Sequence, residues 1–218
     1  MTKVHNRRSG PGSHPGFPQA AVLLLFLLLA GCGKPPTLVQ KYMFEYPPPV
    51  PRASQPLKDA IKVESFAVAQ AFNSTAMIYR PDAYKSEAYT YHRWRVSPGY
   101  LVTDYLLRDL RKSGLFQAVL PPTSADNGRF QVEGGVEEIQ EIDAPDGWKA
   151  SLALNITLLD LKEKEITRRV VFQKGYRAEE PLTEKTPAGL AQGMSRAMER
   201  LSGEIITDLY QAARKREK

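Results

Sequence analysis

Cysteine is almost missing from this 218-residue chain: Cys32 is the only one, so no intrachain disulfide can form and no cysteine cluster can hold a metal. Histidine is nearly as scarce. His5 and His14 lie in the first 31 residues and His92 stands alone in the remainder, which leaves no paired-histidine chemistry. There is no phosphate-cradling glycine loop, no G-x-S-x-G and no H-E-x-x-H. The longest apolar run is about half the roughly 20 residues that a spanning helix needs. These absences predict a chain with no catalytic residues, no metal and no cofactor.

What is present first is a leader-like start. Arg7 and Arg8 precede the apolar stretch Ala20–Ala30, and small residues stand just before Cys32. An uncleaved signal anchor or a core helix with a buried cysteine would use similar residues, but the run is short and terminal. Leu29-Ala30-Gly31-Cys32 resembles the bacterial lipobox, whose cysteine becomes the acylated N-terminus after cleavage. That resemblance implies lipidation at Cys32, which also removes its thiol from any other chemistry. Buried lipid contributes about 0.8 kcal/mol per CH₂, so several chains on one cysteine suffice as an anchor. Gly33 stands where a retention-type Asp would stand in lipoprotein sorting, which implies the periplasmic face of the outer membrane in a Gram-negative-type envelope.

The divisions expected are a signal peptide over 1–31, a lipid-anchored strand and proline-rich connector over 32–60, and the remainder of one domain over 61–218. The formal charge of +6 falls to +3 once Lys3, Arg7 and Arg8 leave with the leader, since no acid leaves with them. That excess is too small to argue for a nucleic-acid partner.

Along the chain, Leu38–Tyr46 has the β-branched and aromatic content of a first strand. Pro47, Pro48, Pro49, Pro51 and Pro56 then forbid both helix and ladder, which predicts an extended connector. Ile61–Ala69 changes parity between Val63 and Phe66, predicting a central strand that is bulged or buried on both faces. Met77–Arg80 and Glu87–Trp94 pair as strands across a loop over 81–86. Ser97-Pro98 opens a helix that Gly114 closes, with Val102, Leu106 and Leu110 on the packing side and Asp104, Arg108, Asp109, Arg111 and Lys112 on the other. Leu115–Leu120 is a short strand.

Arg129–Ile142, Ser151–Leu159 and Ile166–Tyr176 are expected to form a three-strand meander, with Gly134-Gly135 marking a bulge or a close backbone approach. Thr186-Pro187 caps a long helix carrying a stripe of Leu190, Met194, Ala197, Leu201, Ile205 and Leu209. The fold class is α/β of the mixed α+β kind: one domain, its mixed and largely antiparallel sheet packed against at least two amphipathic helices. The basic end Arg214–Lys218 complements the helix dipole or meets anionic lipid.

Two groups of side chains invite a functional reading. Tyr79, Tyr89, Tyr91, Arg93, Trp94 and Arg95 crowd one strand pair, with Tyr84, Tyr100 and Arg80 nearby. Such residues are enriched at binding hot spots, and equally they fill one side of a half-buried hairpin. Glu137, Glu138, Glu141 and Asp143 cluster on one strand and are expected to be solvated edge carboxylates rather than an acid–base pair.

The lipobox, the early strand at Lys41-Tyr42, Ile61–Ala69, Ile78-Tyr-Arg, Tyr89-x-Tyr-x-x-Trp94, the Pro98 helix and Ser113-Gly-Leu-Phe-x-x-Val119 together resemble the ABC-type transport auxiliary lipoprotein family, the group that includes paraquat-inducible protein C. The resemblance implies a periplasmic accessory subunit that binds no nucleotide. Its implied partners are an MCE-domain lipid-binding protein and the permease and ATPase of an ABC lipid transport system that maintains envelope integrity. Self-association is left open. A lipoprotein activator or assembly factor for cell-wall synthesis or another envelope complex is the alternative, because fold alone does not choose among such roles.

Overall fold

The computed structural model describes residues 37–50 and 55–217, together with Thr2. The expected leader apart from Thr2, the expected lipidation site Cys32, and Pro51 lie outside the described residues. Nine strands form one mixed sheet: β1 Gln40–Tyr42, β2 Leu57–Val63, β3 Ala67–Val68, β4 Ala76–Asp82, β5 Lys85–Trp94, β6 Phe116–Leu120, β7 Phe130–Ala144, β8 Gly147–Asp160 and β9 Val170–Pro181. Three helices accompany it among the described residues: α1 Pro98–Ser113, the single-turn α2 Ile166–Arg169, and α3 Pro187–Arg216.

The sheet is built around β7. One of its edges pairs antiparallel with β8 from Phe130↔Asp160 to Ala144↔Gly147, and β8 continues antiparallel to β9, which is the expected meander. The other edge is shared in turn by three parallel partners: β2 at residues 130–132, β3 at 135–136 and β4 at 141–142. β6 adds to β2, while β5 and then β1 extend outward from β4. Antiparallel pairing therefore supplies the long ladders and parallel pairing the short ones, and the sheet curls into a half-barrel.

One face of this sheet is apolar because β8 alternates: Leu152, Leu154, Ile156 and Leu158 are all fully buried. They meet the stripe Leu190, Met194, Ala197, Leu201, Ile205 and Leu209 of α3 and the Leu101, Leu106 and Leu110 side of α1 in one core. Each such leucine, isoleucine or methionine side chain removed from water contributes about 1.5–3 kcal/mol. The opposite face is polar. There the Arg177 guanidinium donates to Glu138 at 2.8 Å and to Ser151 at 3.0 Å, and Asn155 donates to Glu137 at 3.0 Å.

Several local expectations are corrected. The stretch Ile61–Ala69 is two strands, not one: β2 ends at Val63, and Phe66 donates its N–H to Thr103 Oγ1 of α1 at 3.0 Å, which causes the parity change. β2 begins at Leu57 and lies next to the sheet margin formed by β6, so it is not the centre. Only Gln40–Tyr42 of the first segment is strand. β4 and β5 pair up to Asp82↔Lys85, so the expected loop over 81–86 is a tight turn over Ala83 and Tyr84. Ile166–Arg169 is helical, and β9 starts only at Val170.

Both glycine signals have structural causes. Gly114 closes α1 at φ 63°, a left-handed conformation that side chains resist. At Gly134 a Cβ would lie 2.6 Å from the Phe66 ring, while the bulge in β7 falls just after it, between Val136 and Glu138.

The proline-rich connector is not idle. Glu45 N–H donates to Ser195 Oγ of α3 at 2.9 Å, Tyr105 of α1 donates its hydroxyl to the Phe44 carbonyl, and Tyr210 of α3 donates to the Gln55 carbonyl at 2.7 Å. With its ladder bonds forbidden by proline, this segment is held by helix side chains instead.

Candidate functional site

The β4–β5 hairpin stands at the C-terminal end of β7. Its turn is closed locally: Tyr84 N–H donates to Asp82 Oδ1 at 2.9 Å and Arg80 donates to the Ala83 carbonyl at 3.0 Å. The Tyr84 N–H and the Lys85 ammonium, 3.2 Å from Asp82, hold that carboxyl below its ordinary range. Beyond the turn, β5 has a partner on its outer edge only at His92–Trp94, where β1 pairs with it. Among the described residues, the outer edge of Lys85–Tyr91 carries no ladder, which leaves its backbone groups without a strand neighbour on that side.

The six aromatic and basic side chains singled out by sequence divide between the two readings. Tyr91, 47% exposed, and Arg95 lie on the surface. Arg93 is half-buried and folds back on its own strand, donating to the Tyr89 carbonyl and to the His92 carbonyl at 2.9 Å. Tyr79 and Tyr89 are half-buried and stack obliquely with ring centroids 4.9 Å apart. Trp94 is a correction: at 1% exposure it belongs to the core, its ring meeting Phe44 edge-on at 5.6 Å, so it offers no contact surface. Near Arg95, the exposed Met43 and Val96 line a shallow pocket of about 260 Å³ with Leu101, Asp104 and Tyr105. The surface that emerges is a sheet edge of Tyr91, Arg95, Met43 and Val96, the mixture of large apolar area and arginine that suits a protein interface.

Behind this edge lies a carboxylate group that sequence placed in solvent. Glu141 is fully buried, because β4 and β5 cover the end of β7. Tyr89 donates its hydroxyl to Glu141 Oε2 at 2.9 Å, while Oε1 and the nearby Asp143 Oδ1 are buried without a partner. Asp143 receives the Lys185 ammonium through its other oxygen. Burial pushes the Glu141 carboxyl above its ordinary range, the Tyr89 hydrogen bond opposing and the Asp143 charge adding to that shift. Burial and the same carboxylate raise the Tyr89 hydroxyl in turn, and the hydrogen bond to Glu87 raises that of Tyr79. These contacts clasp the hairpin to β7. Among the described residues no cluster of three or more histidines, acids or cysteines is placed to hold a metal.

A second buried polar knot was missed by sequence. Asp109, assigned to the solvent side of α1, has zero exposure; its Oδ2 accepts from Tyr46 and from Ser202, both at 2.7 Å, and its Oδ1 pairs with Arg108 at 2.8 Å. Arg108 in turn lies 4.4 Å from the Tyr46 ring and 4.6 Å from the Tyr105 ring. Its signal was available: 109 follows the buried positions 102 and 106 at helical spacing. This knot ties the connector, α1 and α3 together.

The fold is a small mixed α+β domain whose sheet edge exposes Tyr91, Arg95, Met43 and Val96. A family model for ABC-type transport auxiliary lipoprotein components matches residues 42–206, so the chain belongs to that family and is an accessory lipoprotein of ABC-type transport. Protein XCC0632 from Xanthomonas campestris, a DUF330 protein, is similar at 17% identity with a TM-score of 0.70, over 82% of this chain and 97% of that one. An uncharacterised protein is similar at 12% identity and a TM-score of 0.59, over 78% and 99% of the two chains. The hypothetical protein CT253 of Chlamydia trachomatis follows at 10% identity and 0.50, over 71% and 96%. No protein of curated function matches the chain. No helix among the described residues is long and apolar enough to cross a membrane.

Proposed function

We propose that the chain is an outer-membrane-anchored periplasmic lipoprotein, acylated at Cys32, that serves as a non-catalytic docking subunit of an MCE-type ABC lipid transport system. The observation that carries this reading is the family match over residues 42–206 together with an unpaired, tyrosine- and arginine-bearing sheet edge next to β1, the strand to which the N-terminal tether leads. The partner is an MCE-domain protein, with the permease and ATPase beyond it. Tyr91 and Arg95 make the contact, Tyr79, Tyr89 and Arg93 shape the strand that presents them, and the free edge of β5 accepts backbone hydrogen bonds from an added strand.

The test is mild in-cell crosslinking followed by affinity capture of the membrane-extracted protein and mass spectrometry. The expected result is an acylated peptide starting at Cys32, recovery of an MCE-domain protein with crosslinks through Lys41 and Lys85, and roughly tenfold less recovery for the Tyr91→Ala, Arg95→Ala variant, as for a hot spot. Capture of a cell-wall synthase without any MCE protein overturns the assignment in favour of an assembly factor for wall synthesis.

A further inference from the structure

At the other end of the sheet, the C-terminal half of α3 and the first residues of β9 leave a groove of about 550 Å³. Its floor is apolar: Val171, Phe172 and Ala212 are half-buried against the core. Its rim is cationic. Lys215 and Arg216 line it from the last turn of α3, and neither pairs with an acid among the described residues. Lys174 also lines it, but is neutralised by Asp208 at 2.6 Å. The Arg216 guanidinium donates to the Arg168 carbonyl at 3.4 Å, which brings α2 alongside, with Arg168 and Arg169 on it. Arg168 faces Glu163 and Glu165 at 3.8 and 3.9 Å, so cations still outnumber acids around the groove. Beside these charges two aliphatic side chains stand in water: Ile166 is 77% exposed and Val170 46%.

Dipole complementation does not account for this arrangement. It explains basic residues in a last helical turn, as for Arg111 and Lys112 of α1, but not the half-buried apolar floor of Val171, Phe172 and Ala212 beside Lys215 and Arg216. An apolar trough with a one-sided cationic mouth and protruding aliphatics is complementary to a molecule with an anionic head and a hydrocarbon tail.

We infer that this groove binds a single anionic phospholipid, its phosphate held by Lys215 and Arg216 and one acyl chain lying over Val171, Phe172 and Ala212. The docking role does not require this ligand; the inference rests on the lipid-transport reading only for the choice of a phospholipid over another anionic amphiphile.

The experiment is photolabelling of the mature acylated protein, held in neutral maltoside micelles by its own anchor, with phosphatidylglycerol carrying a diazirine in one acyl chain. Phosphatidylcholine bearing the same chain is the comparison. Expected are adducts concentrated in peptides spanning 170–173 and 208–213, several times fewer with the zwitterionic lipid, and a loss of about fivefold in Lys215→Ala, as for one cation at an anionic lipid. Lys112→Ala, at the end of the other long helix, leaves labelling unchanged. Raising the salt weakens labelling by the anionic lipid. Adducts spread evenly over the surface, equal labelling by the two lipids, or no response to Lys215→Ala overturns the inference. Since the readout concerns the groove alone, its failure leaves the partner capture at the β5 edge standing, and failure of that capture leaves the labelling interpretable.

Discussion

Two of the carboxylates buried among the described residues, Asp109 and Glu141, both at zero exposure, are treated oppositely. Asp109, between the two long helices, is surrounded by donors: two hydroxyls and a guanidinium satisfy both of its oxygens. Glu141, where the hairpin covers β7, has one donor and one oxygen left bare, with a second carboxylate close by. The contrast teaches where this fold is locked and where it is poised. A fully satisfied buried charge resists change, whereas an under-satisfied one favours the protonated form and makes its surroundings sensitive to pH.

Asp109→Ala should therefore have the largest effect. It strands the Tyr46 and Ser202 hydroxyls and the Arg108 guanidinium, and is expected to cost about 3–5 kcal/mol of stability, measured by urea denaturation. A loss below about 1 kcal/mol would show that the knot is dispensable. Trp94→Ala should cost a similar amount, about 3–5 kcal/mol, by emptying a core site. Tyr91→Ala, three residues earlier on the same strand, should stay within about 0.5 kcal/mol of the parent while weakening partner capture. That pair separates the structural member of the aromatic group from a contacting one.

Glu141→Gln tests the poised end by its pH dependence. Because the folded state raises this carboxyl above its ordinary value of 4.5, the fold binds a proton that the unfolded chain has released. The stability contributed by the protonated form is full below about pH 4 and is lost as pH rises through the folded value. Glutamine resembles the protonated acid at every pH. The variant should thus unfold at a higher temperature than the parent at pH 8, and the difference should close below about pH 4. A difference that does not vary with pH would remove Glu141 as the titrating group.

The smallest effect separates two helix starts. Thr186 accepts from the Gly189 N–H at 3.0 Å, so Thr186→Ala should cost about 1 kcal/mol. Ser97 makes no such side-chain bond, and Ser97→Ala should be close to neutral in the same thermal melts.

How far the fold was legible in sequence follows from how local each determinant is. β8 declares itself by strict alternation, and α1 and α3 by caps and apolar stripes, because those signals lie within one element. The parallel partners of β7 are invisible locally: nothing in Ala67–Val68 or Tyr79-Arg80 states that these residues meet 135–136 and 141–142. The same gap hides which of the candidate side chains are buried. Tyr91 and Trp94 are equally good strand residues, and which of them is buried depends on Phe44, about fifty positions away. Glu141 looked solvated because its cover arrives from β4 and β5. Ile166 has strand propensity, yet it begins a helical turn before β9, where the Glu165 carbonyl accepts the N–H groups of Arg168 and Arg169.

The clamped connector also has a mechanical side. A pull applied ahead of Leu38 first loads the three-residue β1 ladder, and next the Phe44–Tyr46 segment wedged against both long helices. Force entering ahead of β1 is thus spread into α1 and α3 through Tyr105, Asp109 and Ser195 before it can peel the hairpin edge from the sheet. A chain loaded from its N-terminal side would yield first at β1, a short ladder that can re-form, while the core behind it stays closed.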